Sequence, residues 1–366
     1  MDGMNDVSDV DNHNSGMGSV WEYVFDEPLI LRYGVGLIED KTRNENNFVK
    51  SIRCSPSGSG LIYSSEGGMI EYVNMCSMNP WYMGEELSSV RVEECIVSKE
   101  FVHTEVVYGM EWIPRVDVEC FVSSSKDTPI RLWNVYNDDV SVYKSVDRMD
   151  ELMSALSVGV SMDGSRLYGG YKGCVCEYVV DRPGMEWNRY DTKELGVVSS
   201  ISIGVNGVLG VGSYSNVVLL LDSRCMNEDG LIWKSKIGDR GIHEVSLKRD
   251  GLLLVNERYN GKIHCYDTRS MEKELFVVEY ASGSQQRFEM SVSSDGNWLS
   301  VGGSDGSVSV FDMSGMLVYK QVLYGDAIGS TCFHPYTPLL ICGTGQRHYG
   351  DEVIPSCCLF YQIRWK

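Results

Sequence analysis

Residues 343–352, with the sequence GTGQRHYGDE, bring an amide, a guanidinium, an imidazole and a phenol together among three glycines. These side chains belong to Gln346, Arg347, His348 and Tyr349. Arginine can stack on a base, bind a base edge or hold a phosphate, and tyrosine offers a ring on which an unpaired base stacks. Neighbouring glycines let a ligand approach the backbone closely. The segment is therefore a candidate site for RNA.

Similar side chains recur in other short, turn-like segments of the chain. Four of these segments carry a tyrosine: Tyr171, Tyr214, Tyr259 and Tyr349. Basic and amide side chains stand beside several of them or in two further segments: Lys126, Lys172, Arg258, Gln285, Gln286 and Arg287. A surface that gathers these segments would present stacking rings and cations to a ligand.

The same residues have an ordinary structural interpretation. A tyrosine after two small residues often packs into the neighbouring structural unit, and an arginine there often pairs with a carboxylate. The surface would then bind a protein, since a fold does not fix its function. The environments of Arg258, Arg287 and Arg347 separate the two cases, because pairing with Asp or Glu favours the protein-binding interpretation.

The chain as a whole is acidic, with 32 basic and 51 acidic side chains and a formal net charge of −19. A field of this sign repels phosphate, so indiscriminate binding to nucleic acid is disfavoured and any such site has to be local. No segment approaches 18 consecutive apolar residues, and no membrane contact is predicted. Residues 1–18 are acidic and polar, and we expect a disordered tail there rather than a signal peptide.

Enzyme chemistry and metal binding are not indicated. The six histidines are dispersed, and no Ser–His–Asp or Cys–His spacing occurs. Cys174 and Cys176 have no second pair at zinc-ligand spacing. Twelve cysteines without a C-x-x-C pair predict reduced thiols. We therefore predict a protein that is not an enzyme and has no metal and no cofactor.

The elements that must position these segments repeat along the chain. Five turn dipeptides end in glycine: Ser57-Gly58, Asp163-Gly164, Asn206-Gly207, Asp250-Gly251 and Asp295-Gly296. The last four glycines are 43, 44 and 45 residues apart. Glycine after Asp, Asn or Ser suits the positive φ of tight turns between antiparallel strands. Alternating apolar residues around each turn predict short strands.

Repeats of this length are typical of a β-propeller. We predict an all-β fold, a seven-bladed WD-repeat β-propeller over residues 19–366. The blade repeats are expected near residues 47–75, 106–137, 152–184, 197–225, 242–270, 286–315 and 326–365. The last repeat has three strands only, so residues 19–34 are predicted to complete its blade and close the ring.

Within a blade, strands a to d run outward from the centre. The glycine dipeptides are a–b turns on one face, and the tyrosine-bearing segments are b–c loops on the other. The d–a segment that enters the sixth blade adds Gln285, Gln286 and Arg287 to the same face. The candidate residues are thereby expected to share one face.

The chain resembles the telomerase Cajal body protein family of WD-repeat proteins. The resemblance is carried by SSSKDTPIRLWNVY (123–136), MDELMSALSVGVSMDGSRLYGGY (149–171), GVVSSISIGVNGVLGVGSYSNVVLLLDSR (196–224), GSQQRFEMSVSSDGNWLSVGGSDGSVSVFD (283–312) and FHPYTPLLICGTGQR (333–347). Gln286-Arg287 and Gly345-Gln346-Arg347 are family-specific positions beyond what the fold demands. One departure is Trp133-Asn134, where the family usually has Trp-Asp, and this change affects a structural hydrogen bond.

The resemblance implies an RNA-binding propeller that recognises the CAB box of H/ACA-type small Cajal-body RNAs, telomerase RNA included where it has that motif. Implied partners are this RNA and its RNP proteins, with telomerase among them, and the propeller is expected to be monomeric. The RNA-contact candidates carried over are Arg287, Gln346, Arg347, Arg258, Tyr171, Tyr214, Tyr259 and Arg131.

The implied location is the nucleus, in the Cajal body or its equivalent. No basic run is longer than Lys248-Arg249, so no import signal is visible and the cytoplasm stays open. The alternative function is a WD-repeat protein-interaction scaffold, in small nuclear RNP or splicing assemblies, without direct RNA binding.

Overall fold

A computed structural model describes residues 23–31, 47–75, 97–115, 118–126, 129–191, 193–225, 227–248, 250–349 and 358–365. Within these ranges the secondary structure is almost entirely β, with short 3₁₀ turns at Lys193–Leu195, Val205–Gly207 and Glu228–Gly230. No helix in the described ranges is long and apolar enough to cross a membrane. The tail expected at residues 1–18 lies outside the described residues.

Six sheets are built from strands that follow one another in the chain, and they form blades of a β-propeller. The first sheet contains β2 (Val49–Cys54), β3 (Gly60–Ser65), β4 (Met69–Asn74) and β5 (Val97–Val102). The second contains β6 (Val107–Trp112), β7 (Cys120–Ser125), β8 (Ile130–Asn134) and β9 (Val140–Lys144). The third contains β10 (Ser157–Val160), β11 (Arg166–Gly170), β12 (Cys174–Val179) and β14 (Asn188–Asp191). The short strand β13 (Gly184–Met185) pairs in parallel with β9. Several inner strands carry small polar residues, such as Ser51 of β2 and Ser157 of β10.

The next three sheets repeat the same order. The fourth contains β15 (Val198–Ile203), β16 (Val208–Ser213), β17 (Val217–Asp222) and β18 (Leu231–Lys236). The fifth contains β19 (Ile242–Leu247), β20 (Leu252–Glu257), β21 (Lys262–Asp267) and β22 (Ser270–Glu279). The sixth contains β23 (Met290–Val292), β24 (Trp298–Gly302), β25 (Ser307–Asp312) and β26 (Leu317–Val322). Neighbouring strands pair antiparallel, as short turns require.

A further sheet joins the two ends of the chain. Strands β27 (Ile328–Phe333), β28 (Leu339–Thr344) and β29 (Cys358–Trp365) are followed outward by β1 (Tyr23–Leu31). Strand β1 runs antiparallel to β29, with Leu31 opposite Phe360 and Tyr23 opposite Trp365. The N-terminal strand therefore occupies the outer edge of the C-terminal sheet.

The a–b turns have the backbone that their glycines predict. All five glycines of the repeated dipeptides lie in the left-handed region, with φ of 73°, 69°, 77°, 81° and 78° along the chain. At Gly164 the preceding aspartate also fixes the turn, because the Asp163 carboxylate accepts hydrogen bonds from the Ser161 hydroxyl and from the Ser165 backbone and hydroxyl.

The apolar core lies between neighbouring sheets. One cluster joins Val49 and Ile52 of β2 to Cys332 and Ile341 of the C-terminal sheet. Burying a large aliphatic side chain contributes about 1.5–3 kcal/mol, so each sheet depends on its neighbours for stability. Single blades would leave these faces in water.

The blade formed by β6 to β9 contains a buried polar network. The Trp133 indole donates to Ser123 Oγ at 2.7 Å, and His103 Nε2 lies 2.7 Å from the same oxygen. Burial, with Arg131 nearby, lowers the pKa of His103 to about 4. Asn134 Oδ1 accepts from the backbone of Tyr136 and Asn137, so the asparagine caps its turn.

Candidate nucleic-acid interface

A cavity of about 540 Å³ opens at the b–c loop end of the inner strands. We call it the loop cavity. Residues proposed from the sequence contribute a large part of its wall: Tyr214, Gln285, Gln286, Arg287, Gln346, Arg347 and Tyr349. Segments that lie far apart in the sequence meet there because b–c and d–a loops emerge on the same face of every blade.

Arg287 lies at the floor of the loop cavity. Its Nη1 donates to the carbonyl oxygen of Tyr108 at 3.3 Å, and its Nε lies 3.6 Å from Glu289 Oε1. Glu289 also accepts from Arg53 Nη1 at 2.7 Å. Burial opposes ionisation of Glu289, but the Arg53 and Arg287 guanidiniums hold its pKa below the usual range. The floor is therefore a fixed, charged network.

Arg347 lies at the rim, with 57% of its side chain exposed. It forms an ion pair with Glu66, and Lys50 Nζ lies 3.2 Å from the other oxygen of that carboxylate. Burial lowers the pKa of Lys50; Glu66 opposes this effect, whereas Arg287 and Arg347 add to it. Two cations thus share one carboxylate, and this excess of positive charge favours an anionic ligand.

Hydrogen bonds hold the segment around Gln346 in place. Gln346 Nε2 donates to Asp326 Oδ1 at 2.7 Å, and His348 Nε2 lies 2.7 Å from Asp326 Oδ2. Gln286 Nε2 donates to the carbonyl oxygen of Gly345 at 2.8 Å. The segments Gln286-Arg287 and Gly345-Gln346-Arg347 are thereby brought together.

Two tyrosines of the b–c loops are each stacked against an arginine, and of these Tyr214 lines the loop cavity whereas Tyr259 does not. The Arg258 guanidinium lies 4.8 Å from the centre of the Tyr214 ring, and its Nη2 donates to Gln285 at 3.1 Å. Tyr259, with φ +74°, is covered by Arg240 at 4.7 Å. Both tyrosines are exposed, Tyr214 at 40%. Rings held by an arginine on one side are suitable platforms for a base.

Four of the proposed RNA-contact residues are not part of the wall of the loop cavity: Arg258 and Tyr259, described above, and Tyr171 and Arg131. Tyr171 is 1% exposed, and its hydroxyl lies 2.5 Å from that of Tyr178 in the core. Because the Tyr171 ring is enclosed in the core, it has no free face for a base, and the structure does not support the prediction that Tyr171 stacks on a base. Arg131 lies on β8, 5.5 Å from the Trp133 ring, and is not among the residues that line the loop cavity.

Sequence reasoning missed Lys50, Glu66 and Tyr108, which also line the loop cavity. Glu66 lies in the b–c loop of the first blade, where the motif SSEGG has neither a tyrosine nor a basic residue. Lys50 and Tyr108 begin inner strands. The positions of the inner strands were predictable from the repeat, so the lysine at the start of β2 was a usable signal.

No protein-family profile matches the chain. Telomerase Cajal body protein 1 of Mus musculus is 25% identical over 360 residues, which cover 91% of this chain and 66% of that protein. The Homo sapiens protein of the same name is 24% identical over 361 residues, covering 91% and 64%. A Drosophila melanogaster homolog is 25% identical over 257 residues, covering 67% and 47%. The chain thus spans slightly less than two thirds of its mammalian relatives.

Proposed function

Because the chain belongs to the telomerase Cajal body protein family, we propose that its loop cavity binds the CAB box of an H/ACA-type small Cajal-body RNA. The protein is then a non-enzymatic RNA-binding propeller. The observation that carries the proposal is the convergence of Gln286, Arg287, Gln346 and Arg347 on one cavity, beside the Tyr214–Arg258 stack.

The side chains around the cavity suit different parts of an RNA loop. Tyr214 and Tyr259 provide stacking surfaces for splayed bases, and each stacked base contributes about 1–3 kcal/mol to the free energy of binding. Arg287, recessed and anchored by Glu289, is placed to donate to a base edge. Arg347 and Lys50 lie at the rim, where a phosphate would approach. Stacking and base-edge contacts of this kind are the usual basis of sequence-specific recognition of unpaired RNA.

Glu66 accounts for selectivity in an acidic protein. Its carboxylate holds Arg347 and Lys50, so a phosphate must compete with it for both cations. An RNA that offers phosphate contacts alone gains little from this exchange. An RNA that also stacks on Tyr214 and bonds to Arg287 gains enough to bind.

The proposed architecture is a seven-bladed ring that extends over residues 19–366 after an acidic tail at 1–18, with its last blade completed by residues 19–34. The pairing of β1 with β29 supports closure, because it places a strand from one end of the chain in a sheet from the other. In the cell, the RNA partners place the protein in the nuclear Cajal body with RNP proteins, telomerase among them.

A protein-interaction scaffold without direct RNA binding is the second candidate. It is favoured by the carboxylate partners of Arg287 and Arg347, which are Glu289 and Glu66. Arg258 favours RNA binding instead, since the contacts described for its guanidinium are the Tyr214 ring and the Gln285 amide.

The test is equilibrium binding of an H/ACA loop RNA, after crosslinking and sequencing identify the bound RNA from the protein's own cells. We expect Arg287→Ala and Arg347→Ala each to weaken binding by about 1–3 kcal/mol, which is about 5- to 150-fold. Arg224→Ala is the matched control, because Arg224 pairs with Asp222 on the opposite face. Its affinity and melting temperature should equal those of the wild type.

Other outcomes distinguish the alternatives. An equal loss for every RNA sequence would mean that the two arginines contact phosphates only. Absence of enriched RNA together with stable protein partners would establish the scaffold and reject the RNA-binding proposal.

A further inference from the structure

Two cysteines from opposite ends of the sequence meet where the first blade packs on the C-terminal sheet. Cys54 ends β2, and Cys332 lies in β27. The backbone N–H of Cys54 donates to Cys332 Sγ at 3.3 Å, and the interaction between the two thiols shifts the pKa of each. Cys54 packs against the apolar cluster that contains Cys332. Both are reduced in this structure.

Cys332 is buried, but it faces a cavity. A second space of about 220 Å³, which we call the turn cavity, lies at the a–b turn end of the inner strands. Its wall includes Cys332, Arg53 and Lys248. A solute the size of hydrogen peroxide can enter such a space, so burial from bulk water does not protect this thiol from a small oxidant.

The two thiols differ in acidity. The interaction with the Cys54 thiol lowers the pKa of Cys332, and the Cys54 backbone N–H and the Arg53 guanidinium lower it further, against the effect of burial. The same thiol–thiol interaction and burial raise the pKa of Cys54 well above its usual range. Cys332 is therefore the nucleophilic member, since the thiolate is the reactive form, and Cys54 is the proton-bearing neighbour.

We propose that Cys332 and Cys54 are a peroxide-sensitive pair that closes into a disulfide between β2 and β27. The Cys332 thiolate attacks one oxygen of hydrogen peroxide, the O–O bond breaks, and sulfenic acid and, after protonation of the leaving hydroxide, one water result. The Cys54 thiol then attacks the sulfur of the Cys332 sulfenic acid, and the S–S bond forms as the S–O bond breaks. The leaving hydroxyl takes the proton of the Cys54 thiol and departs as a second water. Two sulfur atoms are oxidised by two electrons in total, and the peroxide is reduced.

The disulfide would covalently join the first blade to the sheet that contains both chain ends. Linking residues so far apart in sequence restricts the unfolded chain strongly, so oxidation should stabilise the protein. A thiol reductant reverses the bond by exchange. In a reducing compartment the pair would close only during an oxidant pulse, as redox-sensing cysteines do.

Cys174 and Cys176 serve as an internal comparison. These two thiols also interact, with a shift in the pKa of each, and both are fully buried in the core between blades. Neither is part of the walls of the loop and turn cavities. Access, rather than thiol proximity alone, therefore distinguishes the Cys54–Cys332 pair.

The experiment uses the reduced full-length chain, treated with hydrogen peroxide, blocked with N-ethylmaleimide, digested and analysed by mass spectrometry. We expect a peptide linked through Cys54 and Cys332, and a higher melting temperature that dithiothreitol returns to the starting value. In Cys54→Ala the link cannot form, and we expect Cys332 sulfenic acid to be captured by dimedone. Cys265→Ala is the control and should form the link as the wild type does.

Two results would overturn the proposal. One is the absence of the linked peptide at a peroxide dose that oxidises the more accessible Cys225. The other is a Cys174–Cys176 link that forms as fast as the Cys54–Cys332 link. Melting temperatures of the reduced variants establish that each is folded, and Cys54→Ser provides a second substitution at the half-buried position if Cys54→Ala is unstable.

Discussion

The two faces of the propeller differ in the contacts that their charged side chains make. On the a–b and c–d turn face, aspartates bond to the residue two positions later: Asp163, Asp222, Asp267, Asp295 and Asp312. On the b–c face, Arg347 pairs with Glu66, 281 residues away, and Arg287 bonds to Tyr108, 179 residues away. The turn face therefore contains many local bonds, together with long-range contacts where the last repeat meets the first, such as the Tyr336 hydroxyl donating to the Pro56 carbonyl oxygen at 3.0 Å. At the loop cavity, arginine side chains themselves reach residues of distant blades.

This difference also explains how an acidic chain can have a cationic cavity. Several carboxylates on the turn face are committed to their own turns, where local hydrogen bonds stabilise the ionised form. At the loop cavity, Lys50, Arg287 and Arg347 meet Glu66 and Glu289. The net charge of the chain therefore says little about this cavity, and substitutions should act differently on the two faces.

The largest effect is expected from Glu289→Ala. This carboxylate is 5% exposed and lies between Arg53 and Arg287, so its removal leaves two recessed guanidiniums without their nearest anion. Breaking a buried pair by removing one partner costs about 3–5 kcal/mol. Urea unfolding measures the loss of stability.

Glu289→Gln is the control, because it keeps the shape and the acceptor for the Ser51 hydroxyl, which now bonds to Glu289 at 2.7 Å. It should lose less stability than the alanine variant. If Glu289→Ala were as stable as the wild type, the long-range contacts of the loop face would not contribute to holding the ring together.

An intermediate effect is expected from Asp312→Ala on the turn face. Asp312 Oδ1 accepts from the backbone of Ser314 and Met316 at 3.0 and 2.8 Å and from the Ser314 hydroxyl at 2.7 Å. Losing these bonds in a partly exposed turn should lower the free energy of unfolding by about 1–2 kcal/mol. Thermal unfolding measures this change. RNA affinity should not change.

Asp312→Asn should keep most of this stability, since Asn134 already caps the corresponding turn of another blade with its amide oxygen. A variant Asp312→Ala with altered RNA affinity would mean that the two faces are coupled and would contradict the local character of the turns.

The smallest effect is expected in the pH dependence of the protein's stability, through the carboxyl group of Asp163. Hydrogen bonds from Ser161 and Ser165 lower the pKa of Asp163 to about 2, below the ordinary value of about 3.9. A lowered carboxyl pKa in the folded state adds stability above the unfolded value, and this stability is lost as the pH falls from about 4 to 2. Ser165→Ala should raise the pKa of Asp163 in an NMR titration of the carboxyl carbon; an unchanged pKa would contradict this origin.

Local rules account for what the sequence predicts well. Asp-Gly and Asn-Gly dipeptides specify turns by positive φ alone, and the repeat then places Arg287 and Arg347 on the same face. Tyr171 and Tyr214 occupy equivalent b–c loops, yet only Tyr171 is buried. Its hydroxyl meets Tyr178, the fifth residue of β12, whereas the fifth residue of β17 is Leu221 and offers no hydroxyl. Such packing across strands is not contained in the loop motif.

Contacts between blades are likewise beyond local rules. The partner of Arg347 is Glu66, and no pattern near either residue indicates the other. The sequence therefore predicts which face carries the site better than it predicts the charge balance there. That balance decides how strongly an anion is held.

The pairing of β1 with β29 has a consequence for synthesis on the ribosome. Among the described strands β1 is made before all others and β29 after them, on the order of 300 residues and tens of seconds later at about 5–20 residues per second. Strand β1 must wait for β29, and until then it is an unpaired edge that chaperones have reason to cover. Arg347 is made late as well, so the loop cavity is complete only after most of this sequence has been synthesised.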